Sequence, residues 1–392
     1  MLASIPASMM NQKPADLMVW NDPALAASYA RSSVVSGLSR RERGRPMNET
    51  TTIGLDIAKQ VFQVHGVAVD GTVTVKRQLR RSEVIRYFDR LPRCRVGLEA
   101  CGGAHFWARE LTALGHDVRL IPASYVKPYV KRGKTDAIDA EAICEAVSRP
   151  TMRFVPIKTV DCQAGVMLLK TRYLLVKQRT QSINSLRGHL SELGIIAARG
   201  TGKVETLIAI IRDKTDERIP AVARRALEML AEQVEALFQR IATLENEIVS
   251  EVRRDDTMRR LATIPGVGPI TAATIVALVP DPRAFNSGRH FAAWIGLTPK
   301  MHSTGGKERL GRISKMGNPV LRSLLVVGAT AVSRHARRGA TVSPWLTGLL
   351  ARRPAKVAAI ALANKMARVI WALLTKGGVF TRRPATAAQH AA

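Results

Sequence analysis

The chain has 392 residues, 46% of them hydrophobic, and carries a formal net charge of +29 at pH 7. The hydrophobic content excludes a disordered protein, and the length predicts two or three domains. So large a positive charge excludes a surface of balanced sign and predicts a polyanionic partner, above all nucleic acid.

Residues 1–48 differ in composition from the rest of the chain. They are rich in Ala, Ser, Pro and Met, show no sustained periodicity, and include the basic cluster Arg40–Arg45. A basic arm, a weak targeting peptide and a leader added before an original start at Met47 are the three interpretations. We favour the last, predict a disordered leader and assign it no function.

Residues 49–158 are predicted to form an α/β domain. Three opening strands, two of them joined by an Asp70-Gly71 turn, precede alternating helices and strands. This order favours a ribonuclease-H-like sheet over a doubly wound nucleotide-binding fold. The strands are expected at 51–57, 61–69, 72–79, 94–100 and 117–122, and the helices at 82–91 and 105–115.

Residues 159–256 are predicted to be helical. One long helix covers about 162–193, and a linker at about 197–216 separates it from a second. The second helix carries apolar residues spaced alternately three and four apart, which is typical of a coiled coil. Its partner is either the first helix or another protomer. The seam residues are Leu227, Leu230, Val234, Leu237, Ile241, Leu244 and Ile248.

Residues 257–380 are predicted to form a compact, mostly helical domain, with a tail at 381–392. From Thr257 onward there are 21 basic residues and two acidic ones, a net +19, which predicts nucleic-acid binding. Gly266 and Gly268 form an apolar–Gly–apolar–Gly turn between two helical stretches. It resembles a helix-hairpin-helix, whose backbone N–H groups contact phosphate, although an ordinary turn between packed helices fits as well.

Four carboxylates occur where the predicted fold can gather them. Asp56 and Glu99 are expected at the ends of the first and fourth strands, where α/β proteins collect catalytic groups. Asp136 and Asp139 stand three apart at the head of a predicted helix and project from one face. Together they would suit two Mg²⁺ ions about 4 Å apart acting on a phosphodiester. Oxygen ligands without a His/Cys cluster favour Mg²⁺ over zinc.

Each acid also has a structural interpretation. Asp136, near a helix start, would stabilise the helix by ~1 kcal/mol as a cap or dipole partner. For any one of these acids alone, a structural role is the better interpretation. Four acids in this order favour catalysis. The preceding basic residues Lys131, Arg132 and Lys134 belong to a solvated loop or, beside a metal–carboxylate centre, contact phosphate.

The segment 301–318 is dense in Gly, Lys, Arg and hydroxyl residues, but it does not match a GxxxxGK phosphate-binding loop. Ser303 could attack a phosphodiester as a nucleophile, with Ser314 the second candidate and Thr304 the third. From the residues alone, hydrogen bonding to phosphate is at least as well supported as covalent chemistry. The basic residues expected to contact nucleic acid here are Lys307, Arg309, Arg312 and Lys315.

Four stretches resemble the transposases of insertion-sequence family one-ten, in particular its eleven-eleven subgroup, which is related to the pilin-gene invertases. They lie in the family's order, and the similarity extends from about Met47 to Ala340. The stretches are TTIGLDIAKQVFQVHGV (51–67), GLEACGGAHFWARELTALGHDVRLIPASYVKPYVKRGKTDAIDAEAI (97–143), IPGVGPITA (264–272) and HSTGGKERLGRISKMGN (302–318).

This resemblance implies a RuvC-like N-terminal domain, a coiled-coil region, and a C-terminal transposase domain with a catalytic serine. By its position in HSTGGK the serine is expected to be Ser303, with Thr304 and Ser314 left open. The resemblance also implies Mg²⁺, a homo-oligomer (a dimer or tetramer) with sites composed from two protomers, and a structured RNA from the element that recognises DNA. The implied DEDD set is Asp56, Glu99, Asp136 and Asp139.

The resulting hypothesis is an Mg²⁺-dependent, RNA-guided DNA transposase, cytoplasmic and nucleoid-associated, without a membrane partner. Two alternatives remain. One is a RuvC-type nuclease that uses the carboxylates and water, with Ser303 only binding phosphate. The other is a non-catalytic nucleic-acid-binding protein.

Overall fold

The computed structural model describes residues 50–131, 133, 135–198, 200–338 and 343–381. The chain forms two compact units, the first ending at Lys158 and the second beginning at Thr159. The predicted leader, 1–48, and all but the first residue of the predicted tail lie outside the described residues. The boundary predicted between residues 256 and 257 stays a prediction.

The first unit is a mixed α/β domain built on a five-stranded sheet with the order β3-β2-β1-β4-β5. The first three strands pair antiparallel, whereas β4 lies parallel to both β1 and β5. The predicted α/β pattern of this unit is thereby confirmed. Its described elements are β1 (Thr52–Ile57), β2 (Val61–Val67), β3 (Val73–Arg80), α1 (Val84–Asp89), β4 (Arg95–Glu99), α2 (Ala104–Ala113), β5 (Asp117–Ile121), α3 (Ala123–Val126) and α4 (Asp136–Val147), with 3₁₀ turns at Arg81–Glu83 and Lys127–Tyr129.

The sheet separates two apolar layers. On one face, alternate strand residues such as Leu55 and Leu98 pack with Phe88 of α1 and Trp107 of α2 in a single buried cluster. Helix α4 covers the other face, where its apolar residues form a second cluster with the end of β5. Because side chains alternate along a strand, each strand residue belongs to one of these two faces.

The second unit is mostly helical, as predicted. Its described elements are α5 (Val160–Glu192), α6 (Val204–Arg212), α7 (Ala221–Arg254), α8 (Asp256–Ala262), α9 (Pro269–Leu278), α10 (Gly288–Ile295), β6 (Pro299–Met301), β7 (Leu310–Ile313), α11 (Pro319–Arg337), α12 (Pro344–Arg352) and α13 (Ala355–Lys376), with 3₁₀ turns at Thr201–Lys203 and Pro282–Ala284.

Helices α5 and α7 pack antiparallel in the same chain. Leu186, near the end of α5, shares a buried cluster with Leu227, near the start of α7. Leu168, near the start of α5, packs with Ile248, near the end of α7. The structure therefore pairs the predicted apolar seam within the chain. The coiled-coil designation and pairing between protomers stay predictions.

The prediction of a linker at 197–216 is wrong for residues 204–212, which form α6. Val204, Leu207, Ile208 and Ile211 are buried against the α5–α7 pair. Their spacing of three, one and three residues is a helical apolar stripe. The Gly, Lys and Thr residues around the stripe obscured it in the sequence.

One described helix, α13, is long and apolar enough by length and composition to cross a membrane, with a third of the relevant window buried inside the unit. Its residues Ala363, Met366 and Ile370 lie in a core cluster with Phe291 of α10 and Leu325 of α11. A core helix of a soluble protein can have the same length and composition, so these features of α13 are weak evidence for a membrane span.

Candidate functional site

Two strand-end acids lie on the α4 face of the first unit. A Cβ on Gly54 would overlap the Ala140 carbonyl oxygen of α4, and a Cβ on Gly97 would stand 2.8 Å from Val147 of the same helix. Gly54 and Gly97 therefore face α4. Asp56 and Glu99 are each two residues further along parallel neighbouring strands, so they face α4 as well.

The first turn of α4 brings two more acids to this face. Thr135 caps the helix, its hydroxyl accepting a hydrogen bond from the Ile138 N–H, and Asp136 is the first helical residue. Asp139 lies in the same turn and is half-buried, whereas Asp136 is exposed. Acids in a first turn favour the helix through its dipole, so the structure fits the dipole role expected of Asp136, whereas the cap is Thr135.

The four carboxylates lie within electrostatic reach of one another. Burial, followed by the charges of Asp139, Asp136 and Glu99 in that order, raises the pKa of Asp56 from 3.8 to about 6. Burial and the charge of Asp139 also raise the pKa of Glu99. Mutual repulsion between carboxylates that share a site has this effect. The structure thus places the other three acids that the sequence singled out within electrostatic reach of Asp56.

The donor set fits a hard divalent cation by its chemistry. It consists of carboxylate oxygens, which Mg²⁺ prefers, and it carries repulsion that a bound cation would relieve. In the described part of the chain, no three Asp, Glu, His or Cys side chains already converge closely enough to hold a metal ion. Asp56, Glu99, Asp136 and Asp139 would hold the ion only after their side chains move closer. The metal role of these residues stays a prediction.

Asp56→Asn should stabilise the metal-free protein. Because the folded pKa, about 6, lies above the ordinary 3.8, ionised Asp56 destabilises the fold above pH 6, and this loss disappears as pH falls toward 4. This pKa shift corresponds to a loss of at most about 3 kcal/mol in the free energy of unfolding, and partial exposure to water reduces the loss to about 1 kcal/mol. Melting temperatures in EDTA should therefore be higher for the variant at pH 7.5 and converge near pH 4.

Added divalent cation provides the matching control for this experiment. It should raise the melting temperature of the wild type, because ligand that binds only the folded state stabilises it, and should raise that of Asp56→Asn much less. A variant that melts below the wild type at pH 7.5 in EDTA would contradict the repulsion among the acids.

Ser303 lies on an exposed β-hairpin of the second unit. Strands β6 and β7 pair antiparallel, and the Lys307 N–H donates to the Thr304 carbonyl across a turn in which Gly305 and Gly306 both have positive φ. Such a turn suits a tight hairpin and needs residues like glycine. The Ser303 hydroxyl makes no hydrogen bond within the described residues, so it is open to a substrate. The sequence analysis missed this hairpin, although its Gly-Gly pair is a turn signal.

The base of the hairpin is held firmly. A Cβ on Gly296 or on Gly317 would overlap a carbonyl oxygen of the opposing segment. The Arg322 guanidinium donates to the carbonyl oxygens of Ile295 and Met316 at 2.9 and 3.0 Å. Ser314 lies at this base. Its backbone N–H donates to the Thr298 carbonyl oxygen, and its hydroxyl accepts a hydrogen bond from the Met316 N–H at 3.4 Å. Ser314 is therefore engaged structurally, in contrast to Ser303.

The basic residues expected to bind nucleic acid divide into three groups. Lys307, Arg309, Arg312 and Lys315 are exposed around the hairpin, and no described acid forms an ion pair with them. Lys131 forms an ion pair with Glu141 of α4. Arg132 and Lys134 lie outside the described residues.

The glycine turn before α9 has a packing role. Gly266 has a φ of 88°, and a Cβ on it would stand 2.9 Å from the Gly328 carbonyl oxygen of α11. This close approach of two backbones explains why residue 266 is glycine, and no contact with phosphate is needed to explain it. Gly268 is exposed, with open space around it, at the N-cap of α9. Of the pair, only Gly268 is free to approach a phosphate, and that contact stays a prediction.

Sequence reasoning missed the glycines that position the acids. The chain contains Gly-Leu-Asp at 54–56 and Gly-Leu-Glu at 97–99, so each strand presents a glycine to α4 and an acid two residues later. The repeated triplet was a usable signal, because the same offset in parallel neighbours places both acids on one face.

Comparison with known proteins covers both units. A family described as "Transposase", of the DEDD_Tnp_IS110 type, matches residues 53–195, and "Transposase IS116/IS110/IS902 family" matches residues 258–343. The chain is 51% identical over 326 residues to a protein named "Probable family 20 transposase" from Pseudomonas aeruginosa, covering 83% of this chain and 96% of that protein. It is 40% identical over 337 residues to the transposase for insertion sequence element IS1111A from Coxiella burnetii, covering 86% and 93%.

A shorter similarity links the chain to a gene-inverting protein. It is 36% identical over 74 residues to the pilin gene-inverting protein of Moraxella lacunata, which is 19% of this chain and 23% of that protein. This short match supports a relation between the two proteins and no more.

Proposed function

Because this chain belongs to the IS116/IS110/IS902 family of transposases, which act on DNA by strand cleavage and transfer, we propose that it excises and inserts its own insertion sequence through a metal–carboxylate site and a serine nucleophile. The sequence-based prediction of a transposase is confirmed at the level of the family. The observation that carries the finer proposal is the coupling of Asp56 to Asp136, Asp139 and Glu99.

We assign the first unit to the RuvC-like fold. The strand order β3-β2-β1-β4-β5, with acids at the ends of β1 and β4, supports this assignment. So does a helix across the same face whose first turn carries two more acids. A DEDD-type family match over residues 53–195 agrees with a divalent metal at these acids, and the preference of Mg²⁺ for oxygen ligands supports Mg²⁺.

Ser303 is proposed to attack the scissile phosphate. Its oxygen forms a bond to phosphorus as the P–O3′ bond breaks, the serine proton is released, and the leaving 3′-oxygen takes up a proton. Attack by another 3′-hydroxyl on the phosphoserine restores a phosphodiester and frees Ser303, so no external energy source is needed. A divalent cation bound at the acids would offset the negative charge that develops at phosphate. Lys307 and Arg309, exposed beside the serine, would bind the same phosphate's oxygens.

The proposed partners are DNA, a guide RNA and further copies of the chain. The net +19 from Thr257 onward supports nucleic-acid binding. The guide RNA, the dimer or tetramer with composite sites, and the cytoplasmic, nucleoid-associated location rest on the family resemblance.

A reconstituted reaction tests the proposal. Purified protein should join element ends only when DNA carrying those ends, a transcript of the element's non-coding end and Mg²⁺ are all present. Sequencing of the product junction provides the readout, and EDTA or an unrelated transcript should abolish the product. Equal yield with an unrelated transcript would contradict RNA guidance while leaving the metal-dependent chemistry intact.

A further inference from the structure

An open cleft of about 650 Å³ lies in the first unit, on the face of the sheet that α2 covers and opposite the α4 face that carries the carboxylates. Its walls come from the start of β2, the end of β3 and the following turn, and the first half of α2. The lining side chains that matter below are Gln60, Arg80, Arg81, Ser82, Phe106 and Trp107. None of them belongs to the proposed metal site or to the serine hairpin.

The cleft opens at the sheet edge where the acid-bearing strands end. Val61 at the start of β2 pairs with Arg80 at the end of β3, and Phe62 pairs with Ile57 at the end of β1. Since adjacent strands are about 5 Å apart, the cleft lies one to two strands from β1 along this edge. The cleft and the acids therefore share one edge of the sheet but lie on its two faces.

The lining combines an exposed aromatic ring with two arginine side chains. Phe106 is 42% exposed, which is unusual for phenylalanine, and its ring meets the edge of Trp107 at a centroid distance of 5.2 Å. The Arg81 guanidinium stands over the Trp107 ring at 5.0 Å, and Arg80 is exposed beside it. An open aromatic face binds a base by stacking, and guanidinium groups bind phosphate. Ser82 and Gln60 add hydrogen-bonding groups for a base edge.

Trp107 supplies a second, independent observation. Its side chain is only 3% exposed, and its indole N–H is buried with no acceptor among the described residues. A buried donor without a partner is unfavourable and rare in folded proteins. A ligand in the cleft that reached the indole nitrogen would supply the missing acceptor.

We propose that the cleft binds one unpaired nucleotide of the DNA on which the protein acts. Phe106 stacks on the base, Arg80 and Arg81 bind its phosphate, and the Trp107 N–H donates to it. A base stacked inside a duplex cannot present its face to Phe106, so the cleft selects DNA that is locally unpaired. This inference rests on the proposed function and deepens it by adding a site for an unpaired nucleotide of the substrate.

Equilibrium binding by the full chain tests the cleft without any cleavage. Fluorescence anisotropy in EDTA would compare a labelled single-stranded oligo-dT, a duplex of equal length and an oligo-rU. Phe106→Ala should weaken oligo-dT binding about tenfold, as expected for one lost stacking contact, and should change duplex binding less than about twofold. Phe106→Trp should retain binding. Trp107→Phe keeps an aromatic ring but removes the buried donor, so it should weaken oligo-dT binding several-fold. Because it also leaves a cavity in the core, its melting temperature is measured to confirm that the variant is folded at the assay temperature.

Two control variants lie away from the cleft. Val69→Ala removes an 88% exposed apolar side chain beside the β2–β3 turn, at the opposite edge of the sheet. Arg90→Ala removes an exposed cation at the end of α1. Both should bind oligo-dT like the wild type.

Three results would overturn the inference. They are unchanged oligo-dT affinity in both Phe106→Ala and Trp107→Phe, an equal loss of duplex binding in Phe106→Ala, and a loss confined to oligo-rU. Because no step of this assay requires cleavage, its failure would leave the proposed transposase chemistry to be judged by the reconstituted reaction alone.

Discussion

Replacing Glu99 by glutamine will leave the protein folded and able to bind DNA but will lower strand cleavage by about 10²–10³-fold, the usual loss when one electrostatic contact to a transition state is removed. Glutamine has nearly the same shape, so β4 should remain intact, whereas the site loses one of its four negative charges. Cleavage of labelled element-end DNA in Mg²⁺, measured under single-turnover conditions, gives the rate, and a gel-shift assay gives the affinity.

Glu110→Gln is the matched control for this change. Glu110 lies on α2 in the same unit, and α2 packs on the opposite face of the sheet from α4. This variant should cleave at the wild-type rate. A Glu99→Gln protein that cleaves normally would remove the carboxylates from the mechanism and favour a non-catalytic role for the first unit.

The α/β unit was largely predictable because local and tertiary signals agree there. Residues 51–57 and 61–69 are short apolar runs, and Asp70-Gly71 is a strong turn signal, so β1 to β3 were found within two residues at each end. The acids were found because strand ends and helix starts are recognisable in a sequence. The half-burial of Asp56, Glu99 and Asp139 and the repulsion between the acids could not be found in this way, since both depend on how closely α4 approaches the sheet at its glycines.

Features that depend on a few residues escaped prediction. The β6–β7 hairpin has strands of three and four residues in a basic, glycine-rich segment, too short for periodicity to reveal. Helix α6 was hidden because its flanks are rich in Gly, Lys and Thr. The seam of α7 was visible, but its partner was not, because a heptad pattern specifies that a helix pairs and leaves open which helix it pairs with.

Two of the three candidate hydroxyls in the hairpin segment, those of Ser303 and Ser314, can be told apart only in the structure. In the sequence, Ser303 and Ser314 both stand among glycines and cations. In the fold, Ser314 accepts a hydrogen bond at the hairpin base, whereas Ser303 is exposed near the tip. A nucleophile must reach a phosphate, so this difference favours Ser303 on physical grounds.

Ser303→Ala should therefore abolish the covalent protein–DNA adduct and reduce strand cleavage by about 10⁴-fold or more, as loss of a nucleophile does in other enzymes. The adduct is detected as labelled DNA that migrates with the protein after denaturation. Ser314→Ala and Thr304→Ala are the matched controls and should still form it. If Ser303→Ala cleaves at the wild-type rate without an adduct, the protein is a nuclease that uses the carboxylates and water, and Ser303 only binds phosphate.

Mixing two inactive variants then decides whether one site draws on two protomers. In a dimer of Glu99→Gln with Ser303→Ala, sites built within one chain each lack a group, so none works. Sites that combine the acids of one chain with the serine of the other leave one complete site in every mixed dimer. Random association makes half of all dimers mixed, so roughly a quarter of wild-type activity should return under the composite arrangement. No recovery, with mixed dimers verified by two different affinity tags, would show that each chain supplies its own acids and serine.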